Sequence, residues 1–466
     1  MTETILLVTQ TLHINQAAQP INIPFTARFC QRLAACSVVL LLMILSGCVS
    51  APPPISGEPG APLAEEIAAE PTVPLEAIKV PPLNSISDST PRSLAGQYAA
   101  GNWSDLPGWQ NDDMRNVWAV FLRNCAGLMR PTGGSLTSSP RATPRVWQPV
   151  CLAAINPSTA PNPQDSAAVK RFFQAYLKPW RIQAGSTAAV GTATGYYEPL
   201  VKGSRTQGGL YQWPLHTVPV DLLTVDLASV YPELAGKAIR GKVVGNRVVP
   251  YDNRSDLAKG ARQPTAIVYV NDPVDNFFLQ VQGSGRVLLV EGPGAGTTIR
   301  IAYADHNGHP YASIGKWLAD QGQLPLAQTS MQNIRAWAQR NPGRVQEMLN
   351  ANPRVVFFKE EIIKDPSEGP KGAYGIPLVA RRSIAVDPTF VPLGSPVFLS
   401  TTMPASNEPL NRLVFAQDTG TAIRGAARAD FFWGFGDQAG ALAGRMKQKT
   451  QMWVLWPKEA GAPSAR

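Results

Sequence analysis

The sequence predicts a mainly β fold with accessory helices, closed as a barrel rather than opened as a doubly wound sheet. Three observations carry this. From Ala188 onward, strand-like runs dominate, separated by Gly, Pro and Asn. The runs are short and many, with Gly-rich turns between them, a pattern that favours a barrel. Helical patterning is gathered before Ala188 and in one later stretch, and no repeat of fixed period occurs.

The elements follow in order. Met114, Val117, Trp118, Phe121, Leu122 and Cys125 recur at the spacing of one helix face, with Asp112 and Asp113 placed in its first turn, where the helix dipole favours them. A second helix is expected over 166–177, with Val169, Phe172, Phe173, Tyr176 and Leu177 on one side. Strands are expected at 243–249, 266–270, 277–281, 286–290 and 298–302. A third helical stretch covers about 313–349, broken at Pro325 and Pro342. Short strands then resume at 354–358, 382–386, 396–399, 413–416 and 451–455.

The N-terminus sets the compartment. Arg28 and Arg32 precede an apolar run, 33–45, that ends in Leu45-Ser46-Gly47-Cys48. A basic flank, a short apolar core and small residues make a secretory signal, and the run falls short of the roughly 20 residues of a comfortable transmembrane helix. Leu-Ser-Gly-Cys resembles a bacterial lipobox, which implies cleavage before Cys48 and lipid on that cysteine. An uncleaved anchor and a plain signal peptide are the alternatives. Val49, not Asp, follows the cysteine, so inner-membrane retention is not indicated. Residues 1–47 are thus read as a signal with a long leading region. Residues 48–92 are read as the lipidated cysteine and a tether. Prolines at 52–54, 59, 62, 71, 74, 81 and 82 make the tether extended, and without aromatic residues it buries little surface.

The chain has 466 residues, of which about 370 remain after the tether, enough for two domains. Lys plus Arg is 42 and Asp plus Glu 33, a formal +9 that is spread out, with no basic block arguing for nucleic acid. Such a surface suits an acidic polymer or anionic headgroups. Of the five cysteines, Cys30 and Cys36 fall in the signal and Cys48 takes lipid, leaving Cys125 and Cys151 to form a disulfide in an oxidising compartment. A metal pair is disfavoured: the chain has four histidines and none lies near these cysteines.

The chemistry centres on 415–436, FAQDTGTAIRGAARADFFWGFG, which sets Asp418 and Asp430 twelve positions apart. A carboxyl beside Phe431, Phe432 and Trp433 in a water-poor wall keeps its proton near neutral pH, as cleavage of a glycosidic bond requires. The competing reading is a Gly-rich turn with Asp418 as its cap. Thr194-Gly195-Tyr196-Tyr197-Glu198-Pro199 groups hydroxyls and a carboxylate. The run 277–285 is read as a strand entering a tight turn at Gln282-Gly283-Ser284-Gly285. These side chains can hydrogen-bond sugar hydroxyls and acetamido groups, or can be polar caps of strand ends. Asn307-Gly308-His309-Pro310-Tyr311 is a turn in which a lone His309 is more often an ordinary polar contact than a base. Asp387 ends the run 382–387 and can orient a site or cap a turn. No Gly-x-Ser-x-Gly elbow, phosphate loop or His-Glu-x-x-His zinc motif occurs.

Taken together and in this order, Gly195–Pro199, Gln280–Gly285, Asn307–Tyr311, Arg382–Asp387 and Asp418-Thr419-Gly420…Asp430 resemble the membrane-bound lytic murein transglycosylase A family. The likeness runs from about Trp103 to Trp456. The last part resembles the 3D domain, named for three aspartates, here Asp387, Asp418 and Asp430. The resemblance implies a double-psi β-barrel with a smaller inserted β-domain and a groove between them for the glycan strand. The implied layout is 93–200 as N-terminal helices and first barrel part, 201–292 as insert, 293–458 as the rest of the barrel with the 3D segment at about 380–457, and 459–466 as a tail.

It also implies non-hydrolytic cleavage of the β-1,4 bond between N-acetylmuramic acid and N-acetylglucosamine, leaving a 1,6-anhydro end. Asp430 is then the catalytic acid, Asp418 its support, and Thr194, Tyr196, Tyr197, Gln282, Ser284 and Asp387 bind substrate. No cofactor or metal is implied. The implied partners are peptidoglycan strands, the outer membrane reached from the periplasmic side through the lipid anchor, and cell-wall synthesis complexes. One departure is Thr421, where the family commonly has a second Gly, so a Cβ there restricts the backbone. An inverting hydrolase on the same barrel and a non-catalytic peptidoglycan-binding lipoprotein are the alternative functions.

Overall fold

The barrel is closed by one strand that pairs with both ends of the ring. Lys447–Pro457 pairs through residues 447–450 with Gly191–Glu198 and through 451–454 with Pro396–Thr402. The ring continues through Pro409–Asp418, Ser383–Val386 and Ala429–Phe435, and returns to Gly191–Glu198. Two of its pairings are parallel: Ser383–Val386 with Pro409–Asp418, and Ala429–Phe435 with Gly191–Glu198. Closure removes the sheet edges that an open sheet would leave unpaired. The far end of Lys447–Pro457 carries Leu177–Ala184, and Gln97–Ala100 pairs beyond it.

This computed structural model describes residues 71–86, 94–130, 140–227, 229–234, 237, 239–260 and 264–465. The signal, Cys48 and the first part of the tether lie outside the described residues. All described residues fall within one unit, Ala68–Arg466. Among them no helix is long and apolar enough to cross a membrane.

A second sheet runs in the order Val356–Glu361, Thr298–His306, Ser284–Glu291, Leu200–Ser204, Ala266–Val270 and Trp213–His216. Its buried face is apolar, with Val201, Val268, Val287, Leu289, Ile301 and Phe358 in one cluster. Thr298–His306 and Val356–Glu361 complete this face, so the sheet that lies in the expected insert, 201–292, runs past residue 292 to Glu361. Helices Ile314–Asp320, Met331–Arg340 and Val345–Asn350 pack beside it with Pro273–Gln282. The breaks fall at Pro325 and Pro342, as the missing N–H groups dictate.

Several expectations are corrected. Residues 277–281 form not a strand but part of the helix Pro273–Gln282. Asp272 Oδ1 accepts from the N–H groups of Val274 and Asp275, Pro273 opens the helix, and Gly283 closes it at φ 80°. A five-residue apolar run fits either element, and the caps outside it decided. The strand at 243–249 is a hairpin, Ile239–Val244 and Arg247–Pro250, turning at Gly245 with φ 61°. Helices Pro144–Ile155 and Gly436–Arg445 and the strand Leu177–Ala184 were not anticipated. Asp112 and Asp113 precede the first helix, Val117–Leu128, rather than entering it. The buried guanidinium of Arg382 captures Asp112 at 3.0 Å and bonds the Asp113 carbonyl at 2.7 Å.

The disulfide between Cys125 and Cys151 forms and joins helices Val117–Leu128 and Pro144–Ile155. The end of the tether is not a free spacer. Residues 71–86 lie against those helices, with Val73 and Ile86 buried. Its prolines leave carbonyls without local partners, and side chains of the body supply them: Gln148 Nε2 donates to the Pro81 carbonyl at 3.1 Å and Arg145 to that of Ile86 at 2.8 Å. Glu76 pairs with Arg123 at 2.9 Å.

Candidate active site

Four strands bring the site together in register. Asp418 ends Pro409–Asp418, and Asp430 is the second residue of Ala429–Phe435. Both are register partners of Ala385 on the strand between them. On the next strand, Thr194 is the register partner of Asp430. Adjacent strands stand about 4.8 Å apart, so the two carboxylates rise two strand spacings from one another along one line across the barrel wall.

Alternation sorts the aromatic run. Phe432, two residues beyond Asp430, joins Tyr196, Leu378, Ala385 and Ile423 in a buried cluster beside the carboxylates. Phe431 and Trp433 contact one another at 4.9 Å and belong to the opposite face of the strand. The water-poor wall is therefore built by Phe432 and the neighbouring strands, not by three consecutive aromatics. Gly195 is required for this packing: a Cβ there would lie 2.7 Å from both Ala443 Cα and Trp433 Nε1.

Each carboxylate has a distinct set of partners. Thr194 Oγ1 donates to Asp430 Oδ1 at 2.5 Å, and Arg428 Nη2 donates to Thr194 Oγ1 at 2.9 Å. Tyr196 Oη donates to Asp418 Oδ2 at 3.1 Å and the Ala373 N–H to Asp418 Oδ1 at 2.9 Å. Burial pushes Asp430 up to about 6, against the pull of the Thr194 hydroxyl and the Arg428 charge. Burial also raises Asp418, opposed by bonds from the Ala373 and Thr419 N–H groups and from Tyr196. Tyr196 itself is held well above its ordinary value by burial and by both carboxylates, so it is a firm hydrogen-bond donor. As whole residues both aspartates are half-buried.

The other expected residues are placed less uniformly. Tyr197 points away from the carboxylates: its ring packs on Gly440 and its hydroxyl lies 3.9 Å from Met331 Sδ. Gln282 does not line a strand end. It closes the helix Pro273–Gln282, and its Oε1 accepts from the Tyr197 N–H at 3.2 Å, tying the second sheet's helix to the strand Gly191–Glu198. Ser284 is buried at the start of Ser284–Glu291, opposite Ala302. Asp387, expected to bind substrate, holds the backbone of a loop. Its Oδ1 accepts from the Thr389 N–H and hydroxyl and its Oδ2 from the Gly425 N–H at 2.8 Å. It thereby pins the 419–428 loop that joins the other two aspartates. Thr421 sits in that loop without a positive φ; the left-handed positions are Gly425 and Ala427, so the added Cβ costs no strain. His309 Nε2 faces the Tyr251 carbonyl at 2.7 Å, a structural contact in the second sheet's turn region.

Sequence reasoning missed Arg428 and the Ala373 N–H. Arg428 stands two residues before Asp430, and period-two patterning was a signal available for it. Ala373 comes from a loop distant in sequence and left no local trace. Glu198, grouped with the tyrosines by sequence, is fully buried and paired with Arg286 at 2.8 Å and Arg300 at 2.6 Å. It links the barrel strand to the second sheet.

Two family profiles match the chain: the MltA specific insert domain over residues 192–359 and the 3D domain over 382–456. The membrane-bound lytic murein transglycosylase A of Escherichia coli (strain K12) is 32% identical over 284 residues, covering 59% of this chain and 68% of that one. The crystal structure of MltA from Neisseria gonorrhoeae, monoclinic form, is 36% identical with a TM-score of 0.66, covering 84% of this chain and 100% of that one. That of E. coli MltA with bound chitohexaose is 25% identical with a TM-score of 0.55, covering 79% and 99%. The profiles meet the two halves of the site, since Thr194 and Tyr196 lie in the first and Asp418 and Asp430 in the second. This chain belongs to the membrane-bound lytic murein transglycosylase A family.

Proposed function

We propose that this lytic transglycosylase of peptidoglycan works through one carboxyl, Asp430. The observation that carries this is the pairing of Asp430 and Asp418 across Ala385 with unlike surroundings, one carboxyl bonded to a single hydroxyl and raised to about 6, the other holding a tyrosine and backbone N–H groups. Protonated Asp430 gives its proton to the glycosidic oxygen between N-acetylmuramic acid and N-acetylglucosamine. The bond from the anomeric carbon to that oxygen breaks, and the N-acetylglucosamine hydroxyl leaves. The muramoyl C6 hydroxyl then bonds to the anomeric carbon and loses its proton to Asp430. The acid is restored and a 1,6-anhydro end remains. Water takes no part, so no second base is needed to activate it. Asp418, which accepts from Tyr196 and Ala373, faces the positive charge of the transition state. No step calls on a cofactor.

The glycan runs in the groove between barrel and second sheet, with Thr194 and Tyr196 at the cleaved bond and Tyr197, Gln282 and Ser284 holding the wall on the second sheet's side. An E. coli relative binds chitohexaose, which supports a sugar strand as the occupant. The six-strand ring with its two parallel pairs supports a double-psi barrel. Lipid on Cys48 tethers the enzyme to the outer membrane facing the periplasm, where it works alongside cell-wall synthesis complexes. Digestion of purified sacculi tests the reaction. Mass spectrometry is expected to give anhydromuropeptides. Reducing-end products would instead mark a hydrolase, inverting if the anomeric configuration of the product is inverted, and tight sacculus binding without release a non-catalytic lipoprotein.

A further inference from the structure

The hydroxyl of Thr194 sits between a cation and the proposed acid. Arg428 Nη2 donates to Thr194 Oγ1 at 2.9 Å, and Arg428 Nη1 donates to the Thr192 carbonyl at 3.2 Å and to the Ala429 carbonyl. The guanidinium is thus held at three points, two of them backbone atoms of the paired strands that carry Thr194 and Asp430. A guanidinium only donates. Thr194 must therefore spend a lone pair on Arg428 and send its one proton elsewhere. Among the described residues its acceptor is Asp430 Oδ1, at 2.5 Å. That contact occupies Oδ1 as an acceptor. Among the described residues Oδ2 accepts from no donor, so the acid proton belongs on Oδ2.

Resting on Asp430 as the acid, we infer that Arg428 is a positioning residue: it sets the direction of the Thr194 hydroxyl and so fixes which oxygen of Asp430 carries the catalytic proton. Arg428 does not meet the glycan. It acts through Thr194, turning a carboxyl with two equivalent oxygens into one with an assigned donor. The arrangement also reserves Oδ1, already solvated by Thr194, as the oxygen that carries charge after the proton leaves. Among the described residues the charged and titratable groups around Asp430 are few. They are Arg428 at the head of its own strand, Asp418 from the strand across Ala385, Tyr196 on the strand of Thr194, and the exposed Lys447 opposite Thr194.

Four variants of the full chain test this: Arg428→Met, Thr194→Val, Thr194→Ser and Asp430→Asn. They are read by anhydromuropeptide release across pH and by the carboxyl carbon chemical shift of Asp430. Arg428→Met and Thr194→Val are expected to cut kcat roughly tenfold, the scale of one lost hydrogen bond, with KM little changed. Both should move the alkaline limb and the Asp430 titration upward, by about one unit for loss of the nearby cation. Thr194→Ser should restore both readouts. Wild-type rates and titration in Arg428→Met or in Thr194→Val, beside an inactive Asp430→Asn, overturn the inference alone. Retained turnover in Asp430→Asn overturns the reading on which it rests. If Arg428→Met does not fold, the contrast between Thr194→Val and Thr194→Ser still decides.

Discussion

Asp418 and Asp430 are register partners of the same residue, Ala385, one on the parallel and one on the antiparallel neighbour of its strand. The ten-residue loop 419–428 brings the chain from the first strand to the second, and Asp387 pins that loop through the Gly425 N–H. The three aspartates therefore divide the work. Two stand in register across Ala385, and the third anchors the connection between them.

Asp430→Asn is expected to lower anhydromuropeptide release by about 10²–10⁴-fold, the range of general acid–base catalysis, with the fold intact. Its stability relative to wild type carries a sign. A carboxyl raised from 3.8 to about 6 on folding is stabilising below its unfolded value, and that contribution is lost as pH rises through the folded one. Denaturant unfolding should show Asp430→Asn gaining on wild type between pH 4 and about 6 and holding that gain above. A constant difference across that window would contradict the raised carboxyl.

The pH dependence of kcat/KM should show an alkaline limb that reports Asp430 in the free enzyme. In the proposed reaction the protonated form is the active one, so the rate is expected to fall as pH rises past about 6. A rate that rises through this range would identify a base, not an acid, as the limiting group.

Tyr196→Phe removes one bond to the Asp418 carboxylate and keeps the ring that packs on Phe432 at 5.1 Å. A loss of about tenfold or more in kcat is expected, with the fold unchanged, since one hydrogen bond to a charged acceptor is worth a net of roughly 1.5–3 kcal/mol. Asp418→Asn should cost more than Tyr196→Phe, and equal losses would show that Asp418 acts only through the tyrosine.

Glu198→Gln leaves Arg286 and Arg300 buried without their counter-ion. Breaking a buried pair from one side costs about 3–5 kcal/mol, so the thermal midpoint should drop by several degrees. Both arginines also hold the Glu368 carbonyl, so limited proteolysis should detect loosening near residues 362–372.

Removal of residues 1–86 tests the docked end of the tether. Loss of the contacts of Val73 and Ile86 and of the bonds from Gln148 and Arg145 should destabilise the body by about 1–3 kcal/mol. A shortened chain as stable as the full one would mean that the segment is only a spacer.

The sequence by itself determined the β-rich class, the broken helical stretch, the disulfide pair and the two carboxylates. Each is written in a local pattern: alternation, helical period, cysteine parity, a motif of fixed spacing. It also suggested that the carboxylates are unequal, but for an incomplete reason, since Phe431 and Trp433 face away from Asp430. Only the tertiary structure decided which atoms surround them. The Ala373 N–H reaches Asp418 from a loop 45 positions away, and Thr194 reaches Asp430 across 236. Register between strands brings such groups together, and register is set by pairing and burial over the whole barrel, not by neighbours along the chain. The same holds for 277–281, where an apolar run fitted either element until Asp272 and Gly283 capped it as a helix. Side-chain chemistry was legible in order along the chain; proximity, and with it the direction of each proton, was not.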